Sequence, residues 1–379
     1  MNQLWHKTLL CLLMAQFVGL GILFPLHTVS AHLSIAIQGL SFFFGGLGLL
    51  ALVSVALRKD WALWAVLAAT SFKLTIDLYA WATQVDRGVL LWLGVTINIA
   101  IIGIAFKTRQ PVRAEVTALQ KIFYASVLVL AFLIGLWGLF FPAQSLQVLP
   151  FAVPPLHARF LGSMYLSGAT FMALNILASR WSEVRVVTPM ITVWTGMLGF
   201  ISLFYLDAFN WQRIQVWIWF FAYIGFPLVA AWIAWYQRSQ TEHPSRSPMA
   251  PTLRTYLWVQ GGLVTTLALC LLFAPGAMAP LWPWKITPLL AHIYSAPFLS
   301  YGLGSLYALR QKSWLEVRIL VYATLVFAAA VLAASFIHIG LFDFKRIAPW
   351  LWFGGFALST IALGLFGAVP KLRSQRPQF

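Results

Sequence analysis

Apolar runs follow one another along the whole chain, near residues 8–26, 34–57, 61–84, 88–106, 119–141, 156–178, 188–208, 214–236, 255–273, 287–309, 317–340 and 347–369, and polar residues concentrate between them. Each run is close to the roughly 20 residues a helix needs to cross the hydrocarbon core of a bilayer. None alternates with the period of two that a transmembrane strand requires. The pattern predicts an all-α polytopic membrane protein with about twelve spans. Composition agrees: 61% of residues are hydrophobic, 9% are charged, and the mean hydropathy is +0.84. Soluble domains carry about 25% charged residues.

The net charge of +16 changes the picture only through where it sits. Eighteen of the 25 basic residues fall in one set of alternate loops, from Lys7 through Arg58, Lys107, Arg180, Arg238 and Arg310 to Arg376. Six fall in the other set, and the last, Lys73, lies inside a span. An alternating bias of this kind orients a membrane protein rather than binding nucleic acid. It predicts both termini in the cytoplasm of a bacterial-type inner membrane, with anionic membrane lipids as partners. Lys7, an apolar core and Val29-Ser30-Ala31 also fit a secretory signal. Counterparts of this helix deeper in the chain favour a retained span.

Those counterparts come from internal similarity. WSEVRV at Trp181–Val186 returns as WLEVRI at Trp314–Ile319, 133 residues on. At the same offset Pro142 matches Pro275, Pro155 matches Pro288, and Trp217-Ile218-Trp219-Phe220 matches Trp350-Leu351-Trp352-Phe353. A duplicated four-helix unit is expected. A third, divergent copy is expected at the N-terminus, where Ile22-Leu23-Phe24-Pro25 resembles Leu139-Phe140-Phe141-Pro142 and Trp61 follows a short basic loop. The units are 1–118, 119–248 and 249–379. An even number of spans per unit makes the repeats parallel, and three such units suggest a pseudo-threefold bundle. The WSEVRV stretch itself reads as an interfacial anchor, with Trp at the headgroups, Glu at the helix N-terminus, and Arg at lipid phosphate or on that Glu. The unit size and the Gly-rich second helix resemble the small DoxX-like membrane proteins, a resemblance that brings no function with it.

Candidate chemistry starts from Lys73 and Asp77. A charged residue at mid-span costs about 2.5–3.5 kcal/mol. The spacing of four puts the two on one helix face, where they neutralise each other, and Thr70 and Gln84 share that stripe. The pair reads either as a substrate, ion or proton site or as a structural lock between helices. Neither later copy carries charge there.

A second set, His157, Arg159, His292, His338, Asp207 and Asp343, stands at the outer ends of spans and forms either a vestibule or ordinary span-end polarity. Arg159, Ser163, Ser167 and Thr170 on one span, and Ser295, Pro297 and Ser300 on another, read first as close packing. No Gly-rich phosphate loop, HExxH, nucleophile elbow or Cys metal spacing is present, and the histidines include no i,i+4 pair on one helix. No cofactor or metal is therefore expected, and a non-enzymatic role is favoured over an enzymatic one. Three functions fit: a conduit or carrier for a small or amphipathic molecule, a non-catalytic subunit that docks a membrane-protein partner, and an intramembrane enzyme acting on a lipid or quinone.

Overall fold

The structure is a computed structural model that describes residues 3–57, 61–83, 88–107, 114–240 and 247–374. Among these residues there are no strands, only helices, turns and two isolated bridges, Glu115 with Arg180 and Pro248 with Ser313. The long helices are α1 (Trp5–Ser30), α2 (Ile35–Ala56), α3 (Ala62–Ala82), α4 (Val89–Lys107), α5 (Ala118–Phe140), α6 (Pro155–Leu177), α7 (Trp181–Leu203), α8 (Ile214–Tyr236), α9 (Pro251–Phe273), α10 (Pro288–Ala308), α11 (Trp314–Ile337) and α12 (Ile347–Ser374). Ten of them are long and apolar enough to cross a membrane. Helix α4 offers a shorter apolar stretch, Leu91–Ile104, and α10 is longer but interrupted by Pro297 and several serines. The fold is that of a multi-pass helical membrane protein.

The ends of the helices follow from local chemistry. Thr117 and Gln120 form a capping box at the start of α5, and Ser313 and Glu316 form one at the start of α11. Proline occupies the first position of α6, α9 and α10, where its missing N–H costs nothing. Helix α1 is not regular: residues Val18–Leu23 form a π-helical turn. The expected boundaries agree with these helices to within a few residues, except at α7. There the apolar run begins at 188, while the charged WSEVRV segment forms the start of the helix, as its Glu at the N-terminus implied, and Trp181 is 1% exposed, so it is buried rather than resting at headgroups.

The chain divides into two compact units, residues 1–112 with 202–236, and residues 113–201 with 237–379. In the first, α1–α4 are joined by α8, which carries the kink-forming Pro227. An aromatic core ties them together: Phe44 stacks on Phe72 at 4.1 Å, and Trp217 lies 5.0 Å from Tyr79 and 5.4 Å from Phe24. In the second unit, α5 and α6 approach so closely at Gly138 that a Cβ there would lie 2.6 Å from the Ala158 carbonyl. Small residues permit this contact between membrane helices.

Hydrogen bonds recur at the 133-residue offset. Val116 N–H donates to Ser179 O and Met249 N–H to Lys312 O, both at 2.9 Å. Trp217 Nε1 donates to Trp211 O at 2.9 Å, and Trp350 Nε1 to Phe344 O at 3.0 Å. Trp219 Nε1 donates to Ser202 Oγ at 2.9 Å, and Trp352 Nε1 to Ser335 Oγ at 3.0 Å. The short 3-10 turns Leu206–Ala208 and Ile339–Leu341 keep the same spacing.

Candidate functional site

The Lys73–Asp77 pair is at the centre of a buried polar cluster in the first unit. Lys73 Nζ donates to Asp77 Oδ1 within α3. Two amides outside the predicted stripe complete the arrangement. Asn98 of α4 donates through Nδ2 to Asp77 Oδ2 at 3.2 Å and to Gly94 O at 2.7 Å. Gln16 of α1 donates through Nε2 to Asn98 Oδ1 at 2.8 Å and to Thr70 Oγ1 at 3.0 Å. Gln16, Thr70, Asp77 and Asn98 are all buried, and the Lys73 side chain is 13% exposed. Gln84 lies outside the described residues.

The direction of donation gives the cluster its chemistry. Gln16 donates to Asn98, Asn98 donates to Asp77, and Lys73 donates to Asp77 from the other side. A carboxylate that receives a charged and a neutral donor in a low-dielectric setting is polarised by both bonds. The chain of amides extends that polarisation across three helices.

Backbone packing makes room for the ammonium. A Cβ on Gly19 would lie 2.8 Å from Lys73 Cε, and one on Gly94 would lie 3.3 Å from Lys73 Nζ. Gly19 belongs to the π-helical turn of α1, and such turns recur at functional sites. The pair therefore lies where α1, α3 and α4 meet.

The outer candidates belong mainly to the second unit. Arg159 Nη1 donates to His338 Nε2 at 2.6 Å, and Arg159 Nε donates to Leu139 O at 3.1 Å. Because Nε2 accepts this bond, the His338 ring is neutral with its proton on Nδ1. Burial first, and the Arg159 charge second, hold its pKa below the ordinary histidine value. His157 Nδ1 and the Tyr294 hydroxyl are 2.6 Å apart, and both residues are buried beside Trp284 and Phe160. His292 is half-buried two residues before Tyr294, and its carbonyl accepts from Ser295 Oγ at 2.6 Å. The partners found for His157 and His338 are a phenol and a guanidinium, not the carboxylate that general acid–base work would use. No group of three or more potential metal ligands occurs among the described residues.

Of the hydroxylated residues read as packing, Ser163 and Thr170 turn back on their own helix, bonding Arg159 O at 2.8 Å and Leu166 O at 2.9 Å. Ser167 and Ser300 instead reach other helices, bonding Ala323 O at 2.5 Å and Met190 O at 2.9 Å.

Sequence reasoning missed Gln16 and Asn98. Each is a lone amide inside an apolar stretch, AQFV and INIA, and that isolation was the available signal. A lone buried amide needs a partner somewhere, though its identity depends on tertiary contacts 54 and 82 residues apart.

No protein-family model matches the chain, and no curated protein or solved structure matches it.

Proposed function

We propose that this protein is a carrier for a small or amphipathic molecule, in which Lys73 and Asp77 form an intramembrane site whose ion pair is broken and remade during transport. The observation that carries this reading is the charge itself. An ammonium and a carboxylate are retained at mid-span, at a cost that an apolar pair would avoid, and are wired by Asn98 and Gln16 to two further helices. In the arrangement described, the pair is self-neutralised. A proton or cation that competes with Lys73 for Asp77, or an anionic substrate group that competes with Asp77 for Lys73, releases it. The π-helical turn beside Lys73 is the element best suited to absorb the resulting shift.

The carrier in this reading has twelve spans and cytoplasmic termini in a bacterial-type inner membrane, and is built from four-helix units 1–118, 119–248 and 249–379. Matching hydrogen bonds 133 residues apart support the last two units. Membrane lipids surround it, and no catalytic role is assigned.

A second reading, a docking subunit for another membrane protein, is favoured by one feature. Leu351, Leu358 and Leu365 are 67%, 70% and 61% exposed at seven-residue intervals along α12, a spacing suited to helix–helix pairing.

Native mass spectrometry after gentle extraction from membranes tests the proposal. A small molecule bound at one per chain is expected, and it should disappear in a Lys73→Met/Asp77→Leu variant that stays folded. A folded double variant that keeps the molecule overturns the assignment of the site. A stoichiometric protein companion without such a molecule replaces the carrier reading with the docking one.

A further inference from the structure

The two copies in the second unit do not simply stand side by side. Ser167 on α6 donates to the carbonyl of Ala323 on α11, and Ser300 on α10 donates to the carbonyl of Met190 on α7. Ser167 and Ser300 are 133 residues apart, and so are Met190 and Ala323. The same exchange occurs with charges. Glu183 on α7 pairs with Arg318 on α11, and Arg185 on α7 lies 3.9 Å from Glu316 on α11. Each contact occurs twice with its ends swapped, the signature of a twofold relation. The second helix of each copy therefore packs on the third helix of the other.

The residues beside the serine contacts have diverged in step. Gly304 faces the Met190 side chain, where a Cβ would strike the thioether. The corresponding positions are Phe171 and Ala323, so large and small are reversed.

The charged layer lies at the end of this unit that carries the basic loops. Helix geometry places Asn175 about 12 Å inward of Ser167, and Glu316 about 10 Å inward of Ala323, at matching depth. Asn175 is fully buried, yet neither atom of its amide has a hydrogen-bond partner. In the same corner, the Trp181 Nε1 donor, on a side chain 1% exposed, and the Arg185 Nε donor are also unpartnered. Buried polar groups are normally satisfied, so this layer gains from hydration whenever it opens.

We infer that Glu183–Arg318 and Arg185–Glu316 form a two-bolt latch across the pseudo-twofold axis, and that its opening admits water to the Asn175 layer from the basic-loop side. Closure rests on the two ion pairs, and opening is favoured by the unsatisfied amide, indole and guanidinium groups. The glutamates also cap their own helices: Glu183 accepts from Arg180 N at 3.2 Å, and Glu316 accepts from Ser313 N at 2.9 Å. The arginines are the part that can be altered without removing a cap. This inference does not depend on what the Lys73–Asp77 site carries.

The test uses the full chain with Cys11→Ser and Cys270→Ser, an Asn175→Cys reporter, and a membrane-impermeant maleimide added to vesicles from the basic-loop side. In the Arg185→Gln/Arg318→Gln variant, labelling should become about tenfold faster than with the arginines intact. In Arg185→Lys/Arg318→Lys, which keeps the charges, it should stay close to the parent rate. With the arginines in place, raising salt to about 1 M, where the screening length falls to about 3 Å, should also speed labelling. That arm keeps the inference testable if the Gln variant fails to fold. Equal labelling rates in the folded Gln and Lys variants, or no response to salt, overturn the latch.

Discussion

The two units hold their buried polar groups in different ways. In the second unit two kinds of contact come in pairs, a serine to a backbone carbonyl and a glutamate to an arginine, each repeated with its ends exchanged, beside single contacts such as Arg159 with His338. In the first unit the Gln16–Asn98–Asp77–Lys73 cluster occurs once. Counted from Trp61, Trp181 and Trp314, the positions of Lys73 and Asp77 correspond to Val193 and Met197, and to Val326 and Ala330. A contact made in both copies is what a four-helix unit needs in order to assemble. The Lys73–Asp77 pair is a costly contact with no counterpart at these positions, which is why it carries the proposed site.

The comparison is broken most directly at the ion pair. Lys73→Met should leave Asp77 without its cation and destabilise the protein by about 3–5 kcal/mol, whereas the Lys73→Met/Asp77→Leu double variant should recover most of that loss. Thermal inactivation in detergent, followed by the monodisperse fraction on gel filtration, reads the difference. If single and double variants are equally unstable, the residues do not act as a pair.

Packing around the ammonium comes next. Gly19→Ala places a methyl group 2.8 Å from Lys73 Cε, the end of a flexible side chain held by its ion pair, and should cost about 1 kcal/mol. Gly39→Ala, with nothing within 4 Å of the added carbon, is the control and should be neutral or slightly stabilising. Equal melting temperatures for the two variants would show that the close approach at Gly19 is not maintained.

Effects of similar size sharpen the contrast between repeated and single contacts. Ser202→Ala and Ser335→Ala remove the same bond from Trp219 and Trp352, so each should cost about 1 kcal/mol, and the two costs should match. Asn98→Leu has no counterpart and removes one partner from each of Gln16 and Asp77, so about 1–3 kcal/mol is expected. Two serine variants differing by more than the Asn98 effect would contradict the equivalence of the copies.

Much of this was legible in the sequence because it depends on local pattern. Span length and hydropathy place the helices, and the 133-residue offset aligns Trp217 with Trp350 before any contact is seen. The Lys73–Asp77 pair is legible because four residues on a helix make neighbours. The remainder depends on which helices meet. WSEVRV reads locally as a lipid-facing anchor, with its own Glu and Arg as natural partners, yet Glu183 pairs with Arg318, 135 residues away. Charge also interrupts an apolar run, so the run of α7 begins at 188 although the helix begins at Trp181. The serines show the same limit. Ser163 and Ser167 are indistinguishable by spacing, but only Ser167 bonds another helix.

The smallest effect concerns the end of the second unit opposite its basic loops, where Arg159 and His338 meet once and hold a neutral imidazole against a guanidinium. The His338 pKa is depressed in the folded protein by burial and by Arg159. The unfolded chain then binds a proton near the ordinary value of about 6.5 while the folded chain does not. Stability from this group is therefore present above that pH and is lost as the pH falls through and below it. Melting curves in detergent at pH 7.5 and 5.5 should show a downward shift on acidification that is reduced in His338→Gln, which keeps an acceptor for Arg159 but cannot titrate. An undiminished shift in His338→Gln would assign the acid sensitivity to other groups.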